Sequence, residues 1–176
     1  MNKNLVLKFT SVVFKISRIL IALLFAFLLI IGIGAFINDD FGSGTIIRSG
    51  GMEFNSPENV EEGLSSFAKS NPVQFVFVIL QNMAILVVLF NFFGSLLKIV
   101  RSINSLKTFA EGNIKAFKNV SVYAFTIFCL KLIEILPGKI SFAIHFEPIV
   151  VAAFAFILAE VFKEGHQLLK DNELTV

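Results

Sequence analysis

The sequence predicts a mainly α-helical integral membrane protein: a four-transmembrane-helix bundle with a small extracytoplasmic β-hairpin or sheet cap. Three observations carry this. Hydrophobic residues fill 56% of the 176 positions and charged residues 16%, against roughly 45–50% and roughly 25% in soluble domains. Residues 19–37 and 73–97 contain no charge at all, and each run is long enough to cross about 30 Å of hydrocarbon as a helix. Basic residues gather in alternate connecting segments, as they do in loops on the cytoplasmic side of a bilayer.

A soluble domain this small has too little interior for that much apolar surface. A bilayer covers it, because the lipid is itself the apolar solvent. Of the aromatic residues, 22 are Phe and one is Tyr, with no Trp. The single cysteine, Cys129, excludes an internal disulfide framework and a Cys-rich zinc centre.

The first span is expected over about 12–37 and the second over 73–97. A basic start makes the first a candidate signal peptide, but its apolar run is too long, and Gly32 and Gly34 make a poor cleavage site. It reads as an uncleaved span. The third, about 115–136, is interrupted by Lys131 and Glu134; the fourth, about 148–170, by Glu160. Each is marginal alone, and the Pro137-Gly138 turn between them suggests a helical hairpin inserting as a pair.

Charge then orients the chain. Lys3, Lys8, Lys15 and Arg18 precede the first uncharged run, and Lys98, Arg101, Lys107, Lys115 and Lys118 face only Glu111 in and beside the loop 98–114. The loop 38–71 carries Asp39, Asp40, Glu53, Glu58, Glu61 and Glu62 against Arg48 and Lys69. The positive-inside rule puts the N-terminus and 98–114 in the cytoplasm and 38–71 outside. Four spans return the C-terminus to the cytoplasm.

Outside, the runs 45–47 and 52–54 flank Arg48-Ser49-Gly50-Gly51, a hairpin signal. Ser56-Pro57-Glu58 reads as a helix start, with that helix ending before Pro72 and Asn71 capping the second span. Partial alternation over 140–146 suggests a strand that pairs with the 45–54 hairpin. Inside, Thr108 and Glu111 have capping-box spacing, so a helix is expected to begin near Phe109 and run into the third span. The fourth span is expected to continue as an amphipathic cytoplasmic helix with Leu158, Val161, Phe162, Leu168 and Leu169 on one side.

Two stretches resemble a known family. Phe109-Ala110-Glu111-Gly112-Asn113-Ile114-Lys115-Ala116-Phe117-Lys118 is similar to the "F-T-E-E-N-V-K-R-L-R" signature of the bacterial membrane family called domain of unknown function 2975. Leu158-Ala159-Glu160-Val161-Phe162-Lys163-Glu164-Gly165, with Glu173-Leu174-Thr175-Val176, resembles its "L-A-E-V-F-R-E-G … L-T-V" ending. Gly112 and Phe117 stand where that family has an acid and a leucine. The resemblance implies a four-span protein of the bacterial cytoplasmic membrane with no established activity. It also implies a candidate partner, since genes of that family often adjoin one for a small helix-turn-helix regulator.

The candidate functional or structural polar residues are Glu160, Lys131, Glu134, Glu111 and Asn113. Lys131 and Glu134 share a helix face if the third span runs through them, either as an intramembrane pair or reaching the outer headgroups. Glu160 is placed to meet a base such as Lys98, Arg101 or Lys118, as a clamp within a half-buried ion pair. His145 and Glu147 lack a further metal ligand, because His166 belongs on the opposite side. Cys129 reads as a buried small apolar residue. Gln81, Asn82 and Asn91 suggest interhelical hydrogen bonding.

No nucleophile–base pair or metal cluster stands at usable spacing, so no catalytic residue, cofactor or metal is assigned and the chain is not read as an enzyme. The expected function is a non-enzymatic interaction or regulatory protein using its cytoplasmic face. A small transporter or lipid- or small-molecule-binding protein is the alternative. Expected partners are membrane lipid and either the helix-turn-helix regulator or another membrane protein, with homo-oligomerisation open and no direct nucleic-acid binding.

Overall fold

Helix α1, Lys3–Ile37, contains neither proline nor acid, and its Leu, Ile and Phe run suits a helix that meets lipid, where every backbone polar group must be satisfied internally. Its polar residues do not break it. Thr10 and Ser17 donate back to the carbonyls of Val6 and Val13, at 2.9 and 3.0 Å. The computed structural model describes residues 3–37, 64–105, 108–136 and 139–174. The expected 45–54 hairpin and the helix start at Ser56-Pro57 lie outside them.

The short helix α2, Leu64–Ser70, closes against α3, Pro72–Asn104. Pro72 takes the first turn of α3, where a missing N–H costs nothing. Asn71 is the N-cap residue but makes no side-chain cap; its amide donates to Ser70 instead. Phe67, Ala68, Ala35 and Phe75 form a buried cluster there. The ring of Phe75 meets Phe36 and Phe67 edge-on, at 5.3 and 5.9 Å between centroids.

Helix α4, Glu111–Lys131, begins two residues after the expected start. The strands β1, Ile133–Leu136, and β2, Lys139–Phe142, follow, and then α5, Phe146–Leu174. Here the structure corrects the sequence reading twice. The third helical segment stops at Lys131 rather than running to 136. The strand expected over 140–146 occupies only 139–142 and pairs antiparallel with 133–136, Ile135 opposite Ile140. Proline disfavours helix in the residue before it, and Ile-Glu-Ile-Leu is β-prone, so the chain turns back on itself locally.

Gln81 of α3 receives the end of α4. Its side-chain amide donates to the carbonyl of Leu130 and, at 2.6 Å, to that of Ile133. Those carbonyls lack helical partners, and an unpaired one facing lipid is costly. Asn82 and Asn91 do not bridge helices as expected; each donates to its own helix, at Val78 and Val87. Gln81→Leu is therefore expected to cost about 1–3 kcal/mol, and Asn82→Leu much less. Thermal unfolding of both variants in one detergent checks the difference.

The long helices stand in a row rather than a closed bundle. α1 packs on α3, α3 on α4, and α4 on α5, with no close backbone approach of α1 to α4 or α5 among the described residues. Small residues let α4 and α5 approach: Ala116, Val120 and Ala124 on one, Ala152, Ala155 and Ala159 on the other, all buried. Two helices, α1 over Leu5–Ile37 and all of α3, are long and apolar enough to cross a membrane. Only 11% and 6% of their most apolar stretches are buried within the protein, so they are not the hidden core of a soluble domain. Cys129, expected to be buried, is exposed.

Candidate functional site

The two family-like stretches meet at one end of the α4–α5 pair. Phe162 lies between two rings from the first stretch, with centroids 5.4 Å from Phe109 and 4.8 Å from Phe117. Beyond it, Gly165 faces the Phe109 ring so closely that an added Cβ would lie 2.5 Å from Cδ1 and Cε1. A side chain there needs the space the ring fills. Packing against the ring, not turn geometry, thus favours glycine here.

Asn113 anchors the entry to α4. It is 2% exposed, and its side-chain amide donates to the carbonyl of Thr108 at 2.7 Å. Its backbone N–H donates to Ala110 at 2.9 Å. The expected capping box is not formed. Ala110 is the N-cap residue and no side chain caps it, while Glu111 sits exposed in the first turn near the positive end of the helix dipole. The reason is register: with the helix starting at Glu111, Thr108 lies too early to reach the first free N–H groups. Asn113 instead fixes the loop from inside.

Glu160 meets two lysines. One carboxylate oxygen is 3.7 Å from Lys118 Nζ of the first stretch, and the other accepts from Lys163 Nζ at 3.1 Å. Of the expected partners, Lys118 is the one it reaches. The side chains are 40–48% exposed, so in water the bridges would add little. Ala159, its neighbour, is fully buried.

Lys131 and Glu134 do not form the pair a continuous helix would give. Lys131 ends α4, while Glu134 lies on β1 and its Oε1 stands 3.0 Å from His145 Nε2. His145, read as a strand residue beside Glu147, thus belongs with Glu134, and Glu147 enters the first turn of α5. Among the described residues no group of three His, Cys, Asp or Glu could hold a metal ion. Gln81 makes the interhelical hydrogen bond expected of it, whereas the role of Gly165 was missed in the sequence; a glycine inside an otherwise helical amphipathic run was the available signal for it.

The fold and this meeting of motifs define a mainly helical protein with two candidate membrane-spanning helices, α1 and α3, and a second helix pair, α4 and α5, joined at one end by an aromatic and ionic contact. The chain belongs to the family described as protein of unknown function DUF2975, whose model matches residues 58–176. Both stretches lie inside that match. No curated protein and no solved structure matches the chain.

The glutamate contact makes a graded prediction. Glu160→Gln removes the charge that both lysines approach, whereas Glu164→Gln changes an exposed side chain on the same helix. The first variant is expected to accumulate at a lower level in membranes and the second at the wild-type level. Quantitative blotting of membrane fractions checks this, and equal levels would show that Glu160 is no clamp.

Proposed function

We propose that the chain is a four-span bacterial membrane protein, with both termini in the cytoplasm, that acts as a non-enzymatic interaction or regulatory protein through its cytoplasmic face. The single observation behind this is the convergence of the segments 109–118 and 158–165 on one end of the α4–α5 pair. That end also carries Lys98 and Arg101 of α3 and Lys115 and Lys118 of α4, in the basic stretch that the positive-inside rule assigns to the cytoplasm. The joint is aromatic where the rings pack and charged where Glu160 meets its lysines. Past it, Leu168 and Leu169 are exposed on the last turns of α5, an apolar edge suited to a partner.

Crosslinking in native membranes, followed by identification of what is captured, tests the reading. Capture of a helix-turn-helix regulator or another membrane protein through residues placed in 163–176 supports it. Capture of a metabolite through residues lining the α4–α5 groove would favour the alternative, a small transporter or small-molecule-binding protein. That alternative draws on one feature, an apolar groove bounded by Ser121, Phe125, Thr126, Ile149, Ala153 and Phe156.

A further inference from the structure

Arg18 is the last charge before nineteen uncharged residues of α1. At 1.5 Å per residue that run covers about 28 Å, close to the hydrocarbon thickness. With the run spanning the bilayer, which is the membrane reading this inference rests on, Arg18 stands at the boundary between acyl chains and headgroups.

The structure holds the charge in a fixed place. The guanidinium centre lies 4.0 Å above the Phe90 ring of α3, a cation–π arrangement. Gly94, one turn along, lies beside it: a Cβ there would sit 3.7 Å from Cζ, in ordinary contact. One turn further out, Phe14 packs on Phe93 with centroids 5.8 Å apart. The planar group thus rests on one ring of α3, Phe90.

What this setting lacks is an anion. Neither α1 nor α3 contains an aspartate or glutamate. Among the described residues no ion pair reaches Arg18, and its Nε is buried without a hydrogen-bond partner. With Nε enclosed, the two Nη groups are the donors left for a ligand. Lys15, one turn before Arg18 on α1, and Lys98, one turn past Gly94 on the antiparallel α3, are exposed toward the same end. They add positive charge around the position.

We propose that Arg18, held on Phe90 between α1 and α3, binds the phosphate of an anionic phospholipid. A phosphate diester is the anion present at that depth, and it matches the planar donor fork of arginine better than any single-point acceptor. The lysine rim selects a headgroup with net negative charge over a zwitterionic one. The acyl chains then lie along the exposed apolar faces of α1 and α3 rather than in water.

The test compares the purified full chain with its variants, added phosphatidylglycerol or phosphatidylcholine being measured by native mass spectrometry. Wild type is expected to retain phosphatidylglycerol in preference to phosphatidylcholine. Arg18→Gln should weaken that retention by roughly tenfold or more, as loss of a charged hydrogen-bonding pair does. Phe90→Leu, which keeps the charge but removes the platform, should weaken it less, and Lys8→Gln should behave as wild type. Equal retention by Arg18→Gln and wild type would overturn the site. If Arg18→Gln does not fold, undiminished retention by Phe90→Leu would do the same. Displacement of the lipid by inorganic phosphate alone would overturn the lipid as the source. Alkaline carbonate washing separates the two readings: release of the wild-type chain defeats the membrane reading, whereas a retained chain with no lipid preference defeats only this site.

Discussion

Asn113→Ala is expected to destabilise the chain by about 1–3 kcal/mol, the cost of leaving a part-buried carbonyl unpaired, with a further loss from the cavity. Asn113 is nearly inaccessible, and its amide supplies the bond that ties Thr108 to the first turn of α4. Asn113→Asp should be at least as damaging, because it buries an acceptor against an acceptor and adds a charge. Unfolding monitored by tryptophan is ruled out by the composition, so thermal aggregation of a fluorescent fusion in detergent serves. A midpoint for Asn113→Ala equal to that of an exposed control, Glu111→Ala, would show that the loop is held by something else.

Gly165→Val is expected to cost a similar amount, about 1–3 kcal/mol, by overpacking the Phe109 ring. The diagnostic is a change of sign. In the middle of a helix, glycine to alanine normally stabilises by about 0.5–1 kcal/mol. In wild type, Gly165→Ala should destabilise, because the ring occupies the space. In a Phe109→Ala background, where that ring is gone, the same change should stabilise. If Gly165→Ala stabilises both backgrounds, the ring yields freely and the close packing of the two motifs has no energetic weight.

Much of this architecture was legible because long uncharged runs obey simple rules. Uncharged runs of nineteen and twenty-five residues become α1 and α3, and Asn71-Pro72 marks the start of α3. The extension of α5 to Leu174 follows from an apolar stripe that does not stop at Glu160. Glu160 was traced to a lysine because a carboxylate near a basic segment has few other partners, and Lys118 proved to be the one in reach.

What sequence reasoning missed depends on tertiary fit. The residues Ile133 to Leu136 fit a helix or a strand by composition, and only their pairing with 139–142 decides. With the helix ended, Glu134 leaves the face of Lys131 and finds His145, eleven residues later. The capping box failed for a related reason: spacing alone suggested it, and a shift of helix start by two residues removed it. Gln81 looked the same as Asn82 and Asn91 in the sequence. Only the position of the α4 terminus singles it out.

The central claim is that the motif-bearing end of the helices faces the cytoplasm. Thiol labelling in intact cells tests it most directly, using single cysteines in a Cys129→Ala background and a reagent that does not cross the membrane. Cysteines at Ser43 and Ser56 are expected to react from outside, while those at Ser105 and Thr175 should react only after the cells are opened. Labelling of Thr175 in intact cells would mean an odd number of spans, and labelling of Ser105 would turn the motif-bearing end outward; either result contradicts the account.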